Sequence, residues 1–145
     1  MITVSTIIRN KTIAEVWEFF TNPKHVINWN FAGEDWHCPK AINDLLEGGR
    51  FVYTMAAKDQ SFSFDFCGTY TRVVTNEEIA FTLDDDRKVD VHFSSTLAGI
   101  EIVERFDPEN VHPEDMQQAG WQMILDNFKK HAESDRKSTR LNSSH

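Results

Sequence analysis

Apolar residues recur along this chain with two different periods. From Pro113 to His131 the spacing is three and four: Met116, Gly120, Trp121, Ile124, Leu125 and Phe128 share one face, which predicts a long closing amphipathic helix. Pro113 suits a first helical position, where its missing N–H has no partner to lose. Glu114 and Asp115 sit at the positive end of the helix dipole, and Lys129 and Lys130 at the negative end. Most of the preceding chain alternates with a period of two, which predicts strands. These are Ile2–Ile8, Lys40–Leu46, Arg50–Ala57, Ser61–Val74, Ile79–Leu83, Arg87–Thr96 and Ile100–Phe106. In Ser61–Val74, Phe62, Phe64, Phe66, Gly68 and Tyr70 share a face, and Gly68 reads as a bulge or bend.

The turns between strands are short: Glu47-Gly48-Gly49, Lys58-Asp59-Gln60, Thr75-Asn76-Glu77, Asp84-Asp85-Asp86 and Ala98-Gly99. Hairpin-length connections imply one antiparallel sheet. Helical spacing interrupts the strands early in the chain. Thr12–Glu15 has the form of a capping box, and Ile13, Val16, Trp17 and Phe20 make the face behind it. Asn22-Pro23 stops that helix. Pro23–Trp29 predicts a second short helix with Val26, Ile27 and Trp29 turned inward. Asn30–Pro39 has no period, mixes rings with polar residues and reads as a loop that either borders a site or plugs the core. The prediction is an α+β chain: a strand, two helices, six strands and a long helix that must cover one face of the sheet.

At 145 residues the length fits one domain with a substantial core. The formal charge of −8 argues against nucleic acid or an anionic membrane as partner. No apolar run approaches the ~20 residues of a membrane span. No signal-peptide pattern is present, and Cys38 and Cys67 make no disulfide framework, so a cytoplasmic setting is expected. The stretch Asp135–His145 shifts abruptly to small polar and basic residues, resembles a translated sequencing adapter and is read as a non-native tail after a domain spanning 1–134. It holds three of the 15 basic and one of the 23 acidic residues, so the rest of the chain carries −10.

Several segments resemble the START-like helix-grip superfamily, known as SRPBCC. They are Val16–Pro23, Asp35–Leu45, Gly48–Phe51, Phe64–Thr71 and Gly120–Lys130. Within it, the ordered set is most similar to the bacterial branch related to activators of the heat-shock chaperone ATPase. The resemblance implies a curved antiparallel sheet wrapped around the long C-terminal helix, two short helices after the first strand, and an apolar cavity between sheet and helix. It also implies binding of hydrophobic small molecules in many members. Carriers, cyclases and co-chaperone domains all occur among them, so fold alone does not choose an activity.

The candidate cavity wall is Trp29, Trp36, Phe51, Tyr53, Phe64, Phe66, Tyr70, Phe81, Phe93, Trp121, Leu125 and Phe128. Rings favour planar guests by stacking. A dry void of ~300 Å³ would cost about 7 kcal/mol, so such a space is expected to be hydrated, collapsed or occupied. Chemistry is sparse. His37-Cys38 and His92 supply no spaced pair of zinc ligands, the three-Asp turn lacks the calcium-loop pattern, and neither metal nor cofactor is expected. Glu104 shares strand parity with Ile100 and Ile102 and could enter the cavity as a lone acid–base group; the plainer expectation is a salt bridge with Arg105 or Arg50. The leading expectation is therefore binding of a small hydrophobic ligand, planar aromatic, polyketide-like or lipid-like. The alternatives are a cyclase- or hydrolase-like enzyme using Glu104, and a chaperone-ATPase activator with the chaperone as partner.

Overall fold

The computed structural model describes residues 1–135. Apart from Asp135, the tail singled out above lies outside the described residues. The elements are β1 (Ile2–Ile8), α1 (Ile13–Thr21), α2 (Pro23–Val26), β2 (Trp36–Asn43), β3 (Arg50–Ala57), β4 (Ser63–Val74), β5 (Glu78–Leu83), β6 (Lys88–Thr96), β7 (Gly99–Phe106) and α3 (Glu114–Ser134). The sheet is antiparallel throughout, with strand order β1-β7-β6-β5-β4-β3-β2. It curls around α3, which gives the α+β helix-grip architecture expected from the sequence.

Strand alternation sorts the side chains. Phe51, Tyr53, Tyr70, Phe81, Val91, Phe93, Ile102 and Phe106 are buried on the concave face. The outer face carries ion pairs, Arg50 with Asp84 and Arg105 with Asp90, and Arg87 pairs with Asp85 at the turn before β6. Two of the three acids in the Asp84–Asp86 turn are thus held by arginines. The Thr12 capping box forms in both directions, at 3.1 Å from Glu15 N–H to Thr12 Oγ1 and 2.8 Å from Thr12 N–H to Glu15 Oε1.

Helix α3 does more than cover the sheet. Because β1 is an edge strand, its outward carbonyls have no neighbouring strand. Gln118 and Gln122 donate to the Thr3 and Ser5 carbonyls at 3.1 and 3.0 Å, and Lys129 donates to the Ile7 carbonyl. The helix therefore seals the β1 edge. On its other flank, Leu125, Phe128 and Ala132 are fully buried, and Trp121 stacks on Phe106 with centroids 3.8 Å apart. Tied to this side, α3 leaves the concave face of the strands beyond it without full cover.

Several sequence boundaries shift. The Asn30–Pro39 segment is not all loop: β2 begins at Trp36, and a register irregularity between His37 and Lys40 hides its alternation. The strand read as Lys40–Leu46 ends at Asn43. Helix α2 stops at Val26, so Ile27 is exposed rather than inward. Pro113 caps α3 rather than starting it. The bulge falls between Tyr70 and Arg72, not at Gly68. Gly68 serves close approach instead: a Cβ there would sit 2.6 Å from the Thr82 carbonyl oxygen and 3.2 Å from the Phe51 ring. Phe62 precedes β4 and is exposed.

Candidate functional site

Between the concave face of β3–β7 and α3 lies a cavity of about 440 Å³. The sheet contributes Phe51, Tyr53 and Met55 from β3, Phe64, Phe66 and Tyr70 from β4, Ile79 and Phe81 from β5, and Val91 from β6. The helix contributes Met116, Gln117, Gly120, Trp121 and Ile124. Phe20 and Thr21 at the end of α1, with Trp29, Asn30 and Ala32, close one end. The exposed wall residues are Phe64, His112 and Met116, and they mark its mouth. A sealed, dry void of this size would cost about 10 kcal/mol at roughly 24 cal/mol per Å³. A whole domain is stable by only about 5–15 kcal/mol. An open mouth resolves the conflict, since solvent or a guest can fill the space.

Of the sequence-predicted wall, Trp29, Phe51, Tyr53, Phe64, Phe66, Tyr70, Phe81 and Trp121 surround the cavity. The other four do not. Trp36 packs edge-on against Phe62 and Phe64. Phe93 packs against Trp17 and Phe20, and Phe128 against Phe20 and Trp29. Leu125 is buried in the core cluster. Phe93, Leu125 and Phe128 thus belong to the packed core, the two phenylalanines against the rings of α1, whereas Trp36 lies apart from them beside the exposed Phe62.

The sequence reading placed Gly120 on the apolar face of the helix without assigning it to the cavity wall, and passed over Gln117 and the connection after β7. Gly120 lies mid-helix on the wall, and an added Cβ would meet nothing within 4 Å. It is a notch in α3 rather than a packing contact. Gln117 is buried and holds the connection to the helix: its Nε2 donates to the Glu109 and His112 carbonyls at 2.9 and 2.8 Å, and its Oε1 accepts from the Glu109 N–H at 2.9 Å. Glu109 in turn pairs with His112 at 3.0 Å, and both line the mouth. At the far end the Tyr70 hydroxyl donates to Asn43 Oδ1 at 2.6 Å, and Asn43 Nδ2 donates to the Thr21 carbonyl at 2.7 Å. That chain pins α1 to β2 and β4. Burial pushes the Tyr53 phenol well above its ordinary value and the Tyr70 phenol up to about 12, so both stay neutral hydroxyls. Asn30 brings a buried amide nitrogen without a hydrogen-bond partner to the same end.

Glu104 departs from the plainer sequence expectation. It forms no salt bridge with Arg105 or Arg50, because those side chains are held on the outer face by Asp90 and Asp84. Its own side chain points inward, lines the cavity and is 9% exposed. Burial pushes its carboxyl up to about 8. Among the described residues it is the one buried carboxyl on the cavity wall.

The family model described as "Activator of Hsp90 ATPase homolog 1-like protein" matches residues 10–133. Among solved structures, the AHSA1-like protein of Aeromonas hydrophila is 42% identical, with 99% of this chain and 96% of that chain covered and a TM-score of 0.85. Chr148 of Cytophaga hutchinsonii is 44% identical over 99% and 96% of the two chains, with a TM-score of 0.79. CV1439 of Chromobacterium violaceum shares the fold at 21% identity, with 92% and 98% covered and a TM-score of 0.81. No curated protein matches the chain in sequence.

Proposed function

The chain belongs to the Activator of Hsp90 ATPase homolog 1-like family, and on that premise we propose that it binds a small hydrophobic ligand between its sheet and its C-terminal helix. One observation supports this reading above the others: a ring-lined space of about 440 Å³ that the protein's own side chains leave open. Such a volume lies within the range of small-molecule pockets, roughly 300–1,000 Å³. Aromatic walls from Phe51, Phe66, Phe81 and Trp121 favour flat guests, because offset stacking adds to simple burial. Aromatic, polyketide-like or lipid-like compounds fit that description.

Protein purified without detergent, desalted and then denatured in organic solvent should release an apolar small molecule detectable by mass spectrometry. Gly120→Phe, which fills the notch, should release much less of it. Equal release from both proteins counts against the cavity as the binding place.

The family description favours a second reading, activation of a heat-shock chaperone ATPase. That role predicts a complex with the chaperone and a faster ATPase in the presence of this protein. An unchanged ATPase rate at saturating protein would remove it.

A further inference from the structure

We propose that the Glu104 carboxyl is the polar anchor of the cavity and selects apolar ring compounds bearing an uncharged hydrogen-bonding oxygen over lipids headed by a carboxylate. The inference rests on the ligand-binding reading above and names the chemistry that the site would choose.

The position of Glu104 carries the argument. On β7 it follows Ile102 and precedes Phe106 in the inward row, and its cross-strand partners are Val4 and Val91. All four are buried apolar residues. A Val or Ile at 104 would continue the row without penalty. A carboxyl there costs stability unless something satisfies it. No side chain or backbone group among the described residues hydrogen-bonds to it or pairs with it. The nearest chemistry available to it is whatever enters the cavity.

The wall also offers an anionic guest no cation without a carboxylate partner of its own. Arg87 lines the cavity, but its guanidinium pairs with Asp85 at 2.8 Å. The other titratable groups on the wall are Tyr53 from β3, Tyr70 from β4, and Glu109 and His112 from the connection before α3. A fatty acid would bring a second carboxyl beside Glu104 with no unpaired countercharge, which disfavours its ionised form. A ketone or phenol meets no such conflict. The carboxyl, whose pKa burial raises to about 8 and which is therefore protonated below that pH, donates to a carbonyl oxygen and accepts from a hydroxyl.

Three probes of one shape test this: naphthalene, 2-acetylnaphthalene and 2-naphthoate, each titrated into the full chain by NMR below pH 7. The ketone should bind about tenfold more tightly than naphthalene, and 2-naphthoate more weakly than either. Glu104→Leu should abolish the ketone's advantage while leaving naphthalene binding in place. Glu104→Gln keeps a donor, so it should retain the advantage and lose the decline that the wild type shows as pH rises past about 8. Equal binding of ketone and naphthalene to the wild type, or an undiminished ketone advantage in Glu104→Leu, overturns the anchor and leaves cavity binding standing. Failure of all three probes to bind overturns the cavity reading and the anchor with it.

Discussion

The Glu104 carboxyl sits up at about 8 in the folded chain, against an ordinary value of 4.5. Between those values the folded state holds a proton that the unfolded state has lost. Stability is therefore fully present below the lower value and drains as pH rises through the upper one, by up to about 1.4 kcal/mol per unit. The His25–His131 contact at 2.9 Å works in the opposite sense. Burial and the His25 charge lower the His131 pKa, so its contribution is lost as pH falls. Comparing variants separates the two. Urea unfolding should show the wild type losing a few kcal/mol, on the order of 3, between about pH 5 and pH 8. The Glu104→Gln protein should lose much less over the same window. Parallel curves would mean that the carboxyl is ionised inside the fold. Gly68 offers a second test at this scale. Its Cβ-free approach to the β5 backbone and the Phe51 ring predicts that Gly68→Ala costs about 1–3 kcal/mol. The sequence marked Gly68 as special but could not say whether its role was bending or clearance. That depends on how near β5 comes.

At the scale of the element, α3 has two jobs, and the sequence revealed one. Its three–four spacing announced the buried flank of Trp121, Leu125 and Phe128. The flank that seals β1 carries Gln118, Gln122 and Lys129, polar residues off the apolar face. Period alone does not show that a strand edge lies alongside. Replacing both glutamines with alanine should cost roughly 1–3 kcal/mol in unfolding free energy, whereas a merely solvated face would lose almost nothing. Gly120 gives the opposite sign. A mid-helix glycine costs about 1 kcal/mol relative to alanine, and the space around it is open. Gly120→Ala should therefore stabilise the fold by about that amount, and a destabilised variant would show that the notch is a packing contact. In β2 the bulge between His37 and Lys40 broke the alternation, so Trp36 could not be assigned to a strand from the sequence. Its ring consequently lies with Phe62 and Phe64 rather than on the cavity wall.

For the whole molecule, strand alternation, short turns and one closing helix were enough to give the architecture. They were not enough to locate the empty space. Phe93, Leu125 and Phe128 have the same character as Phe51, Phe66 and Phe81, yet the first three pack in the core away from the cavity wall and the others face the cavity. What divides them is the lateral position of α3, set by its ties to β1 and by the Trp121–Phe106 stack. Glu104 was visible as an inward-parity acid, but its lack of a partner depended on where Asp90 and Asp84 had already drawn Arg105 and Arg50. No helix among the described residues is long and apolar enough to cross a membrane. The central claim is that the space under α3 receives an oily guest. Amide NMR during titration with the neutral dye N-phenyl-1-naphthylamine tests it most directly. The account predicts saturable shifts on β3, β4 and the Met116–Ile124 stretch of α3, lost in Gly120→Phe. No saturable shift, or shifts confined to the outer face and unchanged in that variant, would contradict it.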